Sequence, residues 1–357
     1  MKKFLYISAF FPNKYAGHAG GRVAFENLMA LRVDGHVDAV VCTSENIIAD
    51  NAQGIRVIHQ GKLSFIQYLV KNFKNLSWHS FLTAPIIHTR LNQNAEYLII
   101  ELLKAKDYDE IFIDFTQCLM LVKQALLKSG VKLKITACLH DVFAQRMIRS
   151  NLFVDSVLTG IVCKQEQELI KLLDDITVLS IKDKELLQSL YSANSVKIKP
   201  FSPPDWCANV NRSAAQINSK KIIFFGNFDR IENSSAAEWF IENAMNEICL
   251  AIPDATLILL GTGSDRLAAQ IGVSNVVGIG FIEDPSPYFS CCGCAIAPLF
   301  QGAGVKFKVL EALACGVPVV GTAVACEGIA PQSMLFQSEV ETFAAETIHI
   351  LQMKKQF

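Results

Sequence analysis

The residue types best suited to chemistry in this 357-residue chain fall together in one run, Gly302-Ala303-Gly304-Val305-Lys306-Phe307-Lys308-Val309-Leu310-Glu311. Gly302 and Gly304 let main-chain N–H groups approach a ligand, and a helical pattern begins directly after them. The start of a helix has unpaired N–H groups and a partial positive charge, so the loop suits an anion such as phosphate. Lys308 adds a point charge. Glu311 stands three residues later on the same helix face, where a carboxylate can accept two hydrogen bonds from a ribose diol. An anion site beside a diol site reads as a nucleotide site. The same spacing also suits a surface ion pair worth about 0.2–0.5 kcal/mol.

Three further loops are rich in glycine: Gly17-His18-Ala19-Gly20-Gly21, Gly226-Asn227 and Gly261-Thr262-Gly263. A fifth loop, opened by Leu139-His140-Asp141, is polar, and His140 is its candidate for chemistry because imidazole changes charge near neutral pH. A histidine capping a strand end is the alternative there, as a tight strand-to-helix turn is for Gly20 and Gly21.

The elements that must position these loops alternate between apolar runs of strand length and longer helical stretches, the pattern of parallel sheets covered on both faces. In the first half, strands are predicted at 4–9, 39–42, 110–114, 134–139 and 176–179, with helices such as 23–31, 96–103 and 166–173. Pro200-Phe201-Ser202-Pro203-Pro204-Asp205-Trp206 and the polar stretch after it interrupt that pattern. A second unit restarts at 221–226, with strands at 256–260, 276–279, 295–299 and 318–321 and a last helix at 341–353. The expected domains are therefore 1–205 and 206–357, and the length itself favours two cores over one. Open α/β sheets bind ligands outside the carboxyl ends of their strands, so two of them joined by a hinge predict a cleft.

Extended to Ala312-Leu313-Ala314-Cys315-Gly316-Val317-Pro318-Val319-Val320, the glycine-lysine run resembles the signature K-x-L-E-A-x-A-x-G-x-P-V-V of the family-four retaining glycosyltransferases, of the bacterial polysaccharide-assembly type. Cys326-Glu327-Gly328-Ile329 is similar to the A-E-G-I of that family. The resemblance implies the GT-B fold: α/β, two Rossmann-like doubly wound domains facing a cleft, acceptor side N-terminal and donor-binding domain C-terminal. It implies that Lys308, Gly302 and Gly304 hold the diphosphate and sugar, and that Glu311, with Val309 and Leu310 beside it, holds the donor ribose. Phe224-Phe225-Gly226-Asn227-Phe228-Asp229, with Asn233 following, looks like the opening of the donor domain, and Gly280-Phe281-Ile282 resembles the turn that meets the nucleobase. His140-Asp141 and Arg146 resemble an H-D-x-x-x-x-R motif whose histidine touches the donor sugar, and Gly20 and Gly21 resemble a loop beside the donor phosphates and acceptor.

Two departures stand out: Ala303 replaces a glutamate that contacts the sugar in many members, and Asn227 replaces an arginine that binds phosphate. Both match a variant subset of polysaccharide-assembly transferases. The implied function is retaining transfer of a hexosyl group from a nucleotide diphosphate sugar to a glycan or lipid-linked glycan, with His140 and Lys308 as the catalytic pair and neither metal nor cofactor required. Two other readings keep the fold: a noncatalytic nucleotide-sugar binding protein, motivated by Ala303 and Asn227, and a sugar-nucleotide epimerase.

Composition bounds the partners. Lys plus Arg number 33 against 34 Asp plus Glu, so no overall positive field favours nucleic acid. No run approaches the roughly 18 apolar residues of a membrane span, although the composition permits peripheral contact with a membrane. The apolar N-terminus is too short for an export signal and lacks a cleavage site, so a cytoplasmic location, with the inner membrane face as a place of work, is expected. The 11 cysteines are then expected to be reduced. Cys291 and Cys294 have C-x-x-C spacing without a second ligand pair, and Cys294 is expected to open a strand. Asp107-Tyr108-Asp109 has a metal-binding D-x-D form but precedes a strand, the wrong edge for a ligand. No nucleophile elbow, Walker loop or H-E-x-x-H is present. The chain also looks short at its C-terminus beside members with further crossover helices.

Overall fold

The computed structural model describes residues 1–16, 19–43, 54–59, 90–145, 153–213 and 217–353, in two compact units, Met1–Lys199 and Pro200–Phe357. The units meet at Lys199–Pro200, slightly ahead of the expected 205–206. Phe201 explains the offset: its ring meets Phe307 of the second unit edge-on at 5.6 Å, and with Trp206 packed on Phe225 and Phe289 the proline-rich segment belongs to the second core.

In the first unit β1 (Lys2–Ser8), β2 (Gly35–Thr43), β3 (Ile55–His59), β4 (Glu110–Asp114), β5 (Lys134–Leu139), β6 (Asp175–Val178) and β7 (Val196–Ile198) form one sheet in the order β3-β2-β1-β4-β5-β6-β7. Every neighbouring pair is parallel. Phe4, Leu5, Tyr6 and Ile7 are all buried, as a strand covered on both faces requires. Each such side chain contributes about 1.5–3 kcal/mol on burial. The chain builds outward from β1 through β2 to β3, then returns to lay β4 on the other side of β1. The strand order therefore reverses between β1 and β4, and their ends Ser8 and Asp114 lie in register.

The second unit repeats the plan with β8 (Asn218–Phe225), β9 (Thr256–Leu260), β10 (Val276–Gly278), β11 (Cys292–Ala297), β12 (Val319–Gly321) and β13 (Leu335–Gln337) in the order β10-β9-β8-β11-β12-β13, again all parallel. Phe224, Phe240, Phe289 and Phe343 fill its core. Here the order reverses between β8 and β11. Such switch points are where an open α/β sheet leaves a crevice for a ligand.

Differences from the sequence reading have local causes. β3, β7 and β13 are short edge strands, half-buried or exposed over most of their length, with too few apolar residues in a row to reveal them. The first helix spans Ala19–Asp34, so Gly20 and Gly21 stand in its first turn instead of in a loop. The helix expected at 166–173 spans Phe153–Ile170, and β11 opens at Cys292, ahead of Cys294.

Candidate functional site

At the first switch point Asp114 ends β4 with its carboxylate fully buried. Tyr6 on β1 donates its hydroxyl to Oδ2 at 2.7 Å, and Asn27 on the helix Ala19–Asp34 donates Nδ2 to Oδ2 at 3.0 Å and to Oδ1 at 3.2 Å. His140, just past β5, brings Nε2 to 2.8 Å from Oδ1. Burial, reinforced by the Asp114 charge, pushes the Tyr6 phenol well above its ordinary range and keeps it a donor. One carboxylate thus ties β1, β4, the first helix and the loop after β5 together.

The neighbouring main chain is built to hold His140. Phe115 has φ +79°, outside the ordinary regions for a side chain of its size, a conformation that costs about 1–3 kcal/mol. Its ring stacks on the imidazole with centroids 3.7 Å apart and planes 25° apart, while Phe10 meets Phe115 edge-on at 4.8 Å. Downstream, Glu166 accepts from the main-chain N–H of Phe143 at 2.8 Å and of Ala144 at 3.0 Å, and from the Tyr191 hydroxyl at 2.6 Å. Burial raises the Glu166 carboxyl to about 7 against the opposing pull of these donors. Thr116 donates its hydroxyl to the Asp141 carbonyl at 2.9 Å, which clamps the loop from the β4 side.

Asp114, Cys138 and His140 bring one ligand-type atom each within 4.8 Å of one another, the group of that kind found among the described residues. Both Asp114 oxygens already accept hydrogen bonds, and burial raises the Cys138 thiol far above its ordinary range. As it stands the cluster is a hydrogen-bonded network.

At the second switch point Lys308, on the helix Phe307–Ala314, extends to the Gly226 turn that follows β8. It donates to Asn233 Oδ1, and its ammonium lies 4.9 Å from the centre of the Phe224 ring. Asn233 in turn donates Nδ2 to the Asn227 carbonyl at 2.6 Å, so one amide links the lysine to the turn. A Cβ on Gly226 would stand 2.9 Å from Lys308 Nζ; glycine here makes room for the ammonium. Removal of that ammonium from water, with Arg230 and Lys306 nearby, lowers the Lys308 pKa to about 7.

Around it the loops interlock. The Gly226 N–H donates to the Leu260 carbonyl and the Phe228 N–H to that of Thr262, at 2.9 and 2.8 Å. Gly302 and Gly304 have φ +113° and +68°, the reason for two glycines in that loop. Lys306, which sequence reasoning left without a role, donates Nζ to the carbonyls of Gly304 at 2.6 Å and Ala303 at 3.3 Å.

The structure therefore gathers Gly226, Asn227 and Lys308 around Asn233. Glu311 is buried, not one half of a surface pair. The side chain of Val309 lies in the core, and the main-chain N–H groups of Val309 and Leu310 donate to the Lys306 carbonyl. Those two residues have their amides committed within the helix start. Phe281 is 54% exposed beside Gly280, whose N–H is held by the Ser264 hydroxyl at 2.8 Å; Ile282 packs on the core. Gly17, His18 and Arg146 lie outside the described residues. Asp109 accepts from the Lys3 main-chain N–H at 2.8 Å, a tie at the amino end of β1. Arg212 donates to the carbonyls of Phe289 and Cys292 at 2.7 and 2.9 Å, and Cys292 and Cys294 are buried strand residues. Sequence reasoning missed Tyr6, Asn27, Asp114, Phe115 and Glu166. Asp114 had one available signal, a carboxylate at the carboxyl end of an apolar strand.

Residues 219–353 match the family model described as Glycosyl transferases group 1. No curated protein matches the chain. Among solved structures, a sucrose-phosphate synthase from Thermosynechococcus elongatus is similar at TM-score 0.60 and 16% identity, over 99% of this chain and 94% of that one. Anabaena HepE in complex with UDP and glucose is similar at TM-score 0.61 and 13% identity, over 99% and 91%. The apo lipopolysaccharide outer core galactosyltransferase WaaB is similar at TM-score 0.56 and 14% identity, over 98% and 90%. The second unit thus carries a glycosyl transferases group 1 domain, and the chain has the GT-B fold of two Rossmann-like units.

Proposed function

We propose that this protein is a glycosyltransferase that moves a hexosyl group from a nucleotide diphosphate sugar to a glycan or lipid-linked glycan, with retention of anomeric configuration. The observation that carries the reading is Lys308, held at the β8/β11 switch point beside Gly226 and Asn233, on a helix preceded by the loop of the two positive-φ glycines Gly302 and Gly304. A cation among close-approaching main-chain groups suits a diphosphate leaving group. The proteins of similar fold that bind UDP and glucose support a nucleotide-sugar donor.

In this reading the second unit holds the donor: Lys308 and the loop amides around Gly302 and Gly304 hold the diphosphate, and Gly226 and Asn227 border it. Glu311 takes the ribose, and Phe281 and Ile282 meet the base. The first unit supplies the acceptor side, with Gly20 and Gly21 near the phosphates and His140 at the transferred sugar. Charge that develops on the diphosphate as the glycosidic bond breaks is balanced by Lys308 and main-chain dipoles, without a divalent metal or cofactor. Among the described residues no helix is long and apolar enough to cross a membrane. Work in the cytoplasm, with peripheral contact at the inner membrane face for a lipid-linked acceptor, completes the reading.

A thermal-shift panel of UDP, GDP, ADP, their sugar conjugates and NAD tests it. A ligand at 100 times its Kd adds about 2.7 kcal/mol, so selective stabilisation by one nucleoside diphosphate and its sugars is expected. No shift with any of them would remove the donor site and the transferase reading with it.

A further inference from the structure

The donors around Asp114 decide which nitrogen of His140 carries the proton. Oδ2 accepts from Tyr6 at 2.7 Å and from Asn27 at 3.0 Å; Oδ1 faces His140 Nε2 at 2.8 Å and Asn27 at 3.2 Å. A carboxylate only accepts, so a neutral imidazole must place its N–H at Nε2 and its lone pair at Nδ1. Asp114 itself is fully buried and cannot touch a ligand, whereas His140 keeps 11% of its side chain exposed. We propose that Asp114 is a positioning residue that holds His140 as the Nε2–H tautomer, so that the ring offers Nδ1 as an acceptor to a hydroxyl of the bound sugar. Which hydroxyl-bearing ligand is meant rests on the transferase reading; the tautomer does not.

Three further observations fit a ring held in one orientation. Phe115, at φ +79°, lays its ring on the imidazole face at 3.7 Å. Glu166 takes the two main-chain N–H groups of Phe143 and Ala144, and Thr116 the carbonyl of Asp141, so the segment after His140 is fixed on both sides. Tyr6 and Asn27 leave Asp114 little freedom to turn, because each comes from a different packed element, β1 and the helix Ala19–Asp34. A carboxylate that orients a histidine through one ring nitrogen leaves the other to work on the ligand.

The discriminating substitution is Asp114→Asn, which keeps the shape. Two donors at the Oδ2 position draw the amide oxygen there, so the NH2 group turns toward His140. Nε2 must then accept, and the ring proton moves to Nδ1. The experiment records long-range 1H–15N correlation spectra of the full-length protein labelled at its histidines, at about pH 8, above the unperturbed imidazole pKa. His140→Gln identifies the His140 signals among the 7 histidines. Transfer from a nucleotide sugar is measured in parallel.

The expected wild-type ring carries its proton at Nε2, and the Asp114→Asn ring at Nδ1. With that change kcat falls by about 100-fold or more, as a wrong tautomer does at other histidine sites, while the donor KM moves less than about threefold. A wild-type ring protonated at Nδ1 overturns the proposal, and so does a swapped tautomer with wild-type kcat. Should Asp114→Asn fail to fold, the wild-type spectrum still decides which nitrogen bears the proton. A wild-type protein with the Nε2–H tautomer and no transfer to any acceptor would remove the transferase reading and leave the assignment of Asp114 standing.

Discussion

Gly226→Ala perturbs the candidate diphosphate site by one methyl group. Its Cβ would stand 2.9 Å from Lys308 Nζ and 3.3 Å from Asn233 Nδ2, closer than side-chain atoms normally approach. Gly226 is not among the glycines with positive φ, so alanine brings no backbone strain, and the nearest atom is the end of a flexible side chain that can give way. The ammonium must move by about 0.5 Å or more to restore ordinary van der Waals separation, which shifts it from the place where it would meet a diphosphate oxygen. A hydrogen bond to a charged group is worth about 1.5–3 kcal/mol, and 1.4 kcal/mol is a factor of ten, so nucleoside diphosphate affinity should fall about 10- to 100-fold. Titration calorimetry with the diphosphate that wild type prefers gives the affinity, and thermal unfolding without ligand gives the stability, which should change little. In a Lys308→Ala background the same substitution should be nearly silent, since the group it displaces is gone. An unchanged Kd in Gly226→Ala, or an equal loss with and without Lys308, would refute the reasoning. Gly261→Ala is the contrasting case: φ +126° and a Cβ 2.1 Å from the Gly226 carbonyl oxygen leave no room to adjust, so the fold itself should suffer.

Further expectations concern buried charge. The Lys308 pKa is lowered to about 7, against about 10.4 unfolded, so between those values the unfolded chain holds a proton that the folded chain lacks. Stability from this group therefore rises as pH climbs from about 7 toward 10, and Lys308→Met should abolish that rise; a melting difference between the two proteins that is equal at pH 7 and pH 9 would sink the assignment. Glu166 has the opposite sign. Its folded pKa of about 7 exceeds the unfolded value of about 4.3, so its contribution is complete below about pH 4.3 and is lost as pH rises through about 7. Glu166→Gln turns an amide N–H toward one of the donors Phe143, Ala144 or Tyr191 and should destabilise by about 1–3 kcal/mol at pH 5, with a smaller gap at pH 8. Denaturant melts at the two pH values check both the size and the trend, and a gap that widens toward pH 8 would contradict them.

Much of the architecture was legible in the sequence because it depends on local pattern. Continuous apolar runs of strand length at β1, β4, β5, β8 and β9 read as strands buried on both faces, and their alternation with longer helical stretches predicts parallel sheets. Gly302 and Gly304 were legible as a loop of special geometry, and both have positive φ. Lys308 was legible only as a charge on the helix that follows, open to a surface pair as much as to a site; that it extends to Gly226 and Asn233, while Lys306 meets the loop, was not. Edge strands such as β3 and β7 were not, because a half-exposed strand of a few residues has no periodicity to read.

What tertiary structure alone decided is which distant side chains meet. Asp114 and His140 are 26 residues apart, Tyr6 and Asp114 108, and Asn233 and Lys308 75, and no spacing rule brings such pairs together. The parallel sheet does so: crossovers return each strand in the same direction, so the carboxyl ends of β1, β4 and β5 stand side by side. Glu311 shows the same limit from the other direction. Its spacing from Lys308 allowed a surface pair or a site carboxylate, and only the packing of the helix Phe307–Ala314 against the second sheet buried it. Sequence determined which elements form, because hydrogen-bonding period and apolar pattern are local; the packed sheets determined the partners, because a buried polar group must find its hydrogen bonds wherever the fold places them.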